Sequence, residues 1–350
     1  MTENENNPEL NQRESAEKSL KLRSKPVRIC LEVTNRCNLR CEMCAQSWRK
    51  FKFSDLSEKI VSKVMPFIPL TTDVSLFGWG EPFLNRNFFR IYRQVCKIPT
   101  RIFVLTNGML LKEEYVREFV ETRLAFLNVS LDGATAKTYN SIRCGADFDR
   151  VMKSIAMIEK VKKECRSDLP YTRLVCVVMK KNIEELPELV KLTAKFGIPE
   201  IKAIHMIVYN RKMENESLFC HQQLANDVFS RAQETGNNLG VKVNVPDKFD
   251  SSPKDMRHKP CFRAWEEFFV QCDGKVRGCN FLSRIMGDLN TDSVEEIWNN
   301  EAYREFRSII NTEKEWDDCR NCCHYRHVNV NNKLAHIKFE EKVPETLDTE

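Results

Sequence analysis

The sequence predicts an α/β fold with a parallel β-sheet, followed by a smaller cysteine-rich domain. Six short β-branched or aliphatic runs alternate with longer amphipathic segments in the first part of the chain, which predicts six β/α units. From about residue 246 the composition changes to Pro, Asp, Ser and Lys, and then to clustered cysteines. Six β/α units imply a parallel sheet with right-handed crossovers, and this sheet is either open or curled into a barrel. In both cases chemistry collects at the carboxyl ends of the strands.

The predicted strands and helices differ in length and in periodicity. The strands are β-branched or aliphatic runs at residues 27–33, 73–77, 101–106, 126–131, 172–178 and 200–206. The helices have apolar residues at helical spacing beside Lys and Glu, as at residues 56–67, 112–122, 148–163 and 183–196. Their alternation is the basis of the β/α prediction.

The overall composition is that of a folded, charge-balanced protein. The chain has 350 residues, 42% of them hydrophobic, which is enough to fill a core. Its 55 basic and 50 acidic residues are scattered and give a formal charge of +5, so no basic stripe indicates nucleic-acid binding. No apolar stretch has the length of a membrane span, and the N-terminal segment has no apolar signal core. We therefore expect a cytoplasmic protein without a nucleic-acid or membrane partner.

Changes in composition also predict the domain boundaries. Residues 1–25 are rich in Asn, Glu, Lys and Ser and are expected to form a disordered polar tail. The α/β part is expected at residues 26–245, the cysteine-rich domain at residues 246–330, and a second polar tail at residues 331–350. There are 15 cysteines, an odd number in a chain too long to need disulfides, and they point to metal or redox chemistry.

A first group of cysteines follows the first predicted strand. Cys37, Cys41 and Cys44 are separated by three and then two residues, a spacing at which thiolates can converge on one soft metal centre. Zinc would need a fourth protein ligand, and none lies nearby in the sequence. An iron–sulfur cubane held by three cysteines leaves one iron free to bind a ligand. The alternative is three unrelated core cysteines.

The motif in its context resembles the radical S-adenosylmethionine superfamily, whose hallmark is CxxxCxxC after the first strand of a partial barrel. The resemblance implies a partial (β/α)6 barrel and a [4Fe-4S] cluster on Cys37, Cys41 and Cys44. It also implies that S-adenosylmethionine binds at the open iron and is cleaved reductively to a 5′-deoxyadenosyl radical. A low-potential electron donor such as flavodoxin or ferredoxin would be the partner.

Further residues match the family's S-adenosylmethionine site. The loop Gly78-Trp79-Gly80-Glu81-Pro82 resembles the family's Gly-Gly-Glu-Pro loop, which implies that Gly80 and Glu81 receive the amino group. Ser130 would meet the ribose, Arg143 the methionyl carboxylate, and Met43 the adenine. The alternatives are a capping serine at 130 and a surface arginine at 143.

Three single residues and one Asn-Gly pair near the predicted strands have weaker signals. His205 is a candidate contact to substrate or cofactor, although a strand histidine is more often part of the core. Cys176 and Cys220 are candidate hydrogen donors, with core packing favoured for both. The pair Asn107-Gly108 could line the same mouth, but such a pair is more often only a turn.

The C-terminal cysteines resemble the SPASM/twitch segment of radical S-adenosylmethionine enzymes. The resemblance implies one auxiliary [4Fe-4S] cluster, and its ligands would be Cys261, Cys279, Cys319 and Cys322. Cys323 could replace Cys322, and Cys272 is expected to be a core thiol of a hairpin. Gly274 predicts a tight turn in that hairpin. A structural zinc site with four cysteine ligands is the alternative.

The implied function is hydrogen abstraction from a substrate. Our first expectation is a small polar substrate, such as a sugar or an aminocyclitol, that is dehydrogenated or epimerised. A peptide-modifying radical enzyme is the alternative within the same family. A zinc-stabilised binding protein is the alternative from another class.

Overall fold

The computed structural model describes residues 6–249, 260–322 and 331–337. Of the segments predicted from sequence, residues 1–5 and 338–350 of the two tails and Cys323 lie outside the described residues. No helix in the described segments is both long enough and apolar enough to cross a membrane.

The first part of the chain alternates strands with helices, as the sequence predicts. Its strands are β1 (Arg28–Leu31), β2 (Arg40–Cys41), β3 (Asp73–Leu76), β4 (Arg101–Thr106), β5 (Phe126–Ser130), β6 (Arg143–Cys144), β7 (Tyr171–Val178), β8 (Glu200–His205) and β9 (Lys242–Asn244). Its helices are α1 (Asn7–Ala16), α2 (Glu58–Val64), α3 (Phe88–Cys96), α4 (Glu113–Glu121), α5 (Ala136–Ile142), α6 (Phe148–Glu164), α7 (Leu186–Lys195) and α8 (Gln222–Leu239).

The second part is shorter and has smaller elements. Its strands are β10 (Glu267–Val270), β11 (Lys275–Arg277) and β12 (Ile285–Asp288). Its helices are α9 (Arg263–Glu266), α10 (Val294–Trp298), α11 (Glu301–Ile309) and α12 (Asp317–Arg320), and α13 (Lys333–His336) follows the gap after Cys322.

The six predicted strands form the parallel centre of one sheet. Their order is β1-β3-β4-β5-β7-β8, and every neighbouring pair is parallel. Alternate residues of β7 are fully buried, as expected for a strand with one face in the core. Because all six strands run the same way, the loops that follow them gather at one end of the sheet. We call this end the mouth.

The cysteine-rich domain extends the same sheet, which the sequence did not predict. Strand β10 pairs in parallel with β1, and β11 and β12 add antiparallel strands beyond it. Gly274 has a φ of +92° in the β10–β11 turn, so the predicted tight hairpin is confirmed. The pairing joins residues more than two hundred positions apart, such as Ile29 and Phe268, and local sequence patterns carry no signal for it.

The expectation of a disordered tail at residues 1–25 is wrong for the described residues 6–25. Asn6 caps α1, and its side chain accepts a hydrogen bond from the Glu9 N–H. The buried side chain of Asn11 donates to the Trp265 carbonyl at 2.6 Å. The Trp265 indole N–H in turn donates to the Ser19 carbonyl at 2.8 Å. Polar contacts with the second domain therefore order this segment, which buries little apolar surface itself.

Two other boundaries also differ from the prediction. Residues 331–337 are not a polar tail, because His336 is buried and its carbonyl accepts from the Val208 N–H at 2.8 Å. Phe249 was assigned to the second domain but packs on the first, where its backbone N–H donates to Asn226 of α8. Both segments are too polar or too short for composition to reveal that they pack on distant strands.

Candidate active site

The three predicted cluster cysteines lie together at the mouth. Cys41 is held by the short β2–β6 ladder, in which it pairs with Arg143. The Cys44 N–H donates to the Cys41 carbonyl at 3.0 Å, which closes the turn between them. Burial raises the pKa of Cys41 to about 12, Arg143 opposes this rise, and the nearby thiols of Cys44 and Cys37 add to it. The arrangement fits a soft metal cluster held by thiolates.

The loop after β3 interlocks with the cysteine loop. A Cβ on Gly80 would lie 2.5 Å from the backbone oxygens of both Thr34 and Arg36, so only glycine fits there. The Glu81 N–H donates to the Arg36 carbonyl at 2.8 Å. Trp79 replaces the usual glycine without strain, since it is not among the described residues with a left-handed backbone.

Glu81 holds the loop that follows β4. Its side chain is 2% exposed and accepts from the Thr106 hydroxyl at 2.7 Å and from the Asn107 N–H at 2.8 Å. Burial raises the pKa of Glu81 to about 7, although both hydrogen bonds lower it. The Asn107 side chain lies 3.9 Å from the Cys37 sulfur and donates to Asn38 at 2.9 Å. Asn107 is therefore more than a turn residue, because it links the Glu81 carboxylate to the cysteine loop.

Arg143 forms a buried ion pair that sequence reasoning missed. Its Nε lies 2.6 Å from Oδ2 of Asp132, which is fully buried. Burial opposes the charge on Arg143, but Asp132 and Cys41 raise its pKa. The second oxygen of Asp132 accepts from the Val177 N–H at 2.7 Å. Arg143 is thus not a surface residue, and its Nη1 lies 3.9 Å from the Cys41 sulfur.

The remaining predicted contacts to S-adenosylmethionine lie at the same mouth. Ser130 is the last residue of β5 and is 9% exposed. Met43 is half-buried beside a methionine-rich cluster that lies after β7 and β8. The buried members of this cluster are Ile142, Met179, Met206, Val208, Met213 and Ile337. The proposed contacts of Ser130 with ribose and of Met43 with adenine stay predictions.

The three weaker candidates have different surroundings. His205 is buried, with ring centroids of His336 at 4.8 Å and Phe249 at 5.3 Å, so it belongs to an aromatic cluster. Cys176 is fully buried, as expected for core packing. Cys220 is exposed, so the expectation that it packs in the core is wrong. Its sulfur faces the Glu214 carbonyl in a short surface turn at the end of a 3-10 helix.

The four predicted auxiliary ligands line one cavity in the second domain. The cavity is walled by Cys261, Cys279, Cys319 and Cys322 together with Phe281, Leu282, Phe306, Ile310 and Asp318. Burial raises the pKa of Cys319 to about 12. Four thiols around one apolar cavity fit an iron–sulfur cluster that is held by four cysteines.

Cys272 lies away from this cavity, as expected. Its sulfur accepts from the Ser54 hydroxyl at 3.1 Å, and its backbone N–H donates to Glu32 at 3.2 Å. Glu32 also accepts from the Trp79 N–H at 2.8 Å. This fully buried carboxylate, which sequence reasoning missed, ties the hairpin of the second domain to the Gly80 loop.

Comparison with known proteins finds a family model for each of the two parts of the chain. The family model of the radical SAM superfamily matches residues 31–208, and the model of an iron–sulfur cluster-binding domain, SPASM, matches residues 261–323. The tungsten-containing aldehyde ferredoxin oxidoreductase cofactor-modifying protein of Pyrococcus furiosus is 23% identical over 80% of this chain and 83% of its own. The PqqA peptide cyclase of Bradyrhizobium diazoefficiens is 22% identical over 81% and 75%.

A solved structure shares the fold. SuiB of Streptococcus suis, bound to its precursor peptide SuiA, superposes with a TM-score of 0.64 at 15% identity, over 85% of this chain and 70% of that one. The cysteine loop, the parallel sheet and the matched residues together decide the assignment. This chain belongs to the radical SAM superfamily and carries a SPASM domain, and it is an enzyme that uses [4Fe-4S] clusters and S-adenosylmethionine.

Proposed function

We propose that this enzyme modifies a peptide. The proposal is supported by relatives that are named for a peptide substrate, such as the PqqA peptide cyclase. This relative aligns over 81% of this chain, and an alignment of that length reaches into both domains. A structure with the same fold is bound to a precursor peptide. Our first expectation from sequence, a sugar or aminocyclitol substrate, is less well supported than this alternative.

The residues of the mouth have separate tasks in such an enzyme. Cys37, Cys41 and Cys44 would hold the cluster that, when bound, supplies the electron for reductive cleavage of S-adenosylmethionine. Gly80 lets its own loop lie directly against the backbone of Thr34 and Arg36, which precedes the three cysteines. Arg143 keeps its charge because of Asp132, which suits it to the methionyl carboxylate.

Two features of the mouth serve to fix these groups in place. Glu81 and Asn107 hold the loop after β4 against the cysteine loop, and Glu32 holds the Gly80 loop against the second domain. Hydrogen abstraction depends on positioning and on the exclusion of other hydrogen donors more than on acid–base catalysis. These buried carboxylates are therefore assigned to positioning.

The four cysteines of the second domain complete the proposal. A cluster there would have all its irons ligated, so it would be unable to bind S-adenosylmethionine but able to accept an electron. Electron acceptance suits dehydrogenation or crosslinking of a peptide. The external electron source would be a low-potential donor such as flavodoxin or ferredoxin.

Deuterium transfer distinguishes a peptide from a small-molecule substrate. The reconstituted enzyme would be incubated with S-adenosylmethionine, dithionite and a deuterated cell extract that has been separated into peptide and small-molecule fractions. We expect deuterium to appear in 5′-deoxyadenosine only with the peptide fraction. Exhaustive peptidase digestion of that fraction should abolish the deuterium transfer. Deuterium from the small-molecule fraction alone would overturn the proposal. A variant with Cys37, Cys41 and Cys44 all changed to Ala is the control.

A further inference from the structure

Three aromatic rings connect loops that follow well-separated strands at the mouth. Trp79 follows β3, and its ring centroid lies 5.9 Å from that of Phe51 and 6.0 Å from that of Tyr209, which follows β8. All three side chains are half-exposed. In the sheet, β8 is separated from β3 by β4, β5 and β7. The rings of Phe51, Trp79 and Tyr209, which we call the aromatic bridge, therefore cross the mouth.

Exposed cations lie beside the aromatic bridge in the sequence and in the structure. The guanidinium carbon of Arg49 lies 5.5 Å from the Tyr209 ring centroid. Lys50 and Lys52 flank Phe51, and Arg211 and Lys212 follow Tyr209; all five cations are exposed. We call Arg49, Lys50, Lys52, Arg211 and Lys212 the basic rim.

Two other exposed cations of the mouth, Arg36 and Lys181, have ion-pair partners. Arg36 pairs with Asp55 at 3.5 Å, and Lys181 pairs with Glu42. Within the part of the chain that the structure describes, no cation of the basic rim has an ion-pair partner. Two carboxylates of the mouth, Glu81 and Asp132, are buried and turned to internal partners. In the segment that contains Arg211 and Lys212, Glu214 pairs with Lys333 at 2.9 Å and Glu216 accepts from the Lys181 N–H at 2.9 Å.

This distribution favours an anionic ligand. The whole chain is close to charge balance, with 55 basic and 50 acidic residues, so the local excess of cations is a property of the mouth. Clustered charge of one sign at an entrance raises the local concentration of an oppositely charged ligand. Half-exposed aromatic rings beside the cations add contact area for the ligand's carbon atoms and for its backbone.

We propose that the aromatic bridge and the basic rim together bind an acidic segment, rich in Asp or Glu, of the peptide substrate. This inference rests on the proposed peptide-modifying function and adds the charge class of the substrate. Several carboxylates spaced along one extended segment would reach cations on both sides of the mouth. Such binding would hold the peptide while its reacting residue enters the barrel.

The test measures peptide binding without turnover. The probes are a fluorescein-labelled Glu-Gly repeat peptide and its Gln-Gly counterpart of equal length, titrated by anisotropy against the reconstituted enzyme with S-adenosylmethionine bound. We expect the acidic peptide to bind at least about tenfold more tightly at low salt, and this preference to decrease as salt screens the charges. Equal affinity for the two peptides would overturn the proposal.

Variants of the basic rim test whether these cations cause the preference for the acidic peptide. The triple change Arg49→Ala, Lys50→Ala and Lys52→Ala is expected to remove most of the preference for the acidic peptide. The matched control removes three exposed lysines from outer helices, Lys153 and Lys163 of α6 and Lys195 of α7, and should keep the preference. A preference that survives the rim variant, or that falls equally in the control, would overturn the proposal.

The aromatic bridge is tested by a conservative pair of variants. Tyr209→Phe keeps the ring and should keep the affinity, whereas Tyr209→Ala should weaken acidic-peptide binding about threefold. Equal affinities of these two variants would overturn the role of the bridge. If these binding tests fail, the proposed peptide-modifying function still stands, because it is judged by deuterium transfer from the peptide fraction. Transfer from the small-molecule fraction would instead refute the proposed function, so the two failures are distinguishable.

Discussion

Replacing Asp132 by Asn tests the buried ion pair beside the cluster cysteines. Asp132 is 0% exposed, and its Oδ2 lies 2.6 Å from Nε of Arg143. Asn would keep an acceptor for the Val177 N–H but would turn an amide NH2 toward the guanidinium, leaving a buried charge without its counterion. Breaking a buried pair in this way costs about 3–5 kcal/mol. We expect the free energy of unfolding to fall by that amount.

The assay is urea unfolding of the cluster-free protein under anaerobic, reducing conditions. The double variant Asp132→Asn, Arg143→Met should recover part of the loss, because it removes the unpaired charge together with its partner. Asp273→Asn is the control, since Asp273 is exposed and its ion pair is with the exposed Lys275; its effect should stay within about 0.5 kcal/mol. A loss below about 1 kcal/mol in Asp132→Asn, or no recovery in the double variant, would refute the reasoning.

Two further predictions concern the Gly80 loop. Gly80→Ala places a Cβ 2.5 Å from the backbone oxygens of Thr34 and Arg36, so the loop that we propose binds S-adenosylmethionine must shift. Calorimetric titration should then detect at least about tenfold weaker S-adenosylmethionine binding, and unchanged affinity would contradict the proposed role of this loop. Glu81 has its pKa raised from 4.5 to about 7, so the folded state binds its proton more tightly than the unfolded state. The resulting stability is fully present below pH 4.5 and is lost as pH rises to about 7, in total about 3 kcal/mol. Glu81→Gln should flatten the stability profile across this window, and an unchanged slope would contradict the assignment.

The sequence predicted well those parts of the fold that depend on local patterns. The alternation of short apolar runs with amphipathic segments marked the six parallel strands, because strand and helix periodicities are visible within one segment. The spacing of Cys37, Cys41 and Cys44 is equally local. The structure brings these thiols together as predicted.

The parts that were missed depend on contacts between distant segments. The pairing of β10 with β1 joins the two domains into one sheet, and neither strand alone specifies its neighbour. Asp132 was visible at the end of its strand, but its partner Arg143 is known only from the fold. Likewise, α1 is polar and was taken for a tail, because its order comes from hydrogen bonds to the second domain and not from its own composition.

Metal analysis of the anaerobically reconstituted enzyme tests the central claim most directly. The structure places two separate sets of thiols, one at the mouth and one around the cavity of the second domain. With a cubane at each, we predict about eight irons per chain, negligible zinc, and about four irons after Cys37, Cys41 and Cys44 are changed to Ala. That variant should also form no 5′-deoxyadenosine. About four irons and one zinc in the wild type, or 5′-deoxyadenosine from the triple variant, would contradict the account.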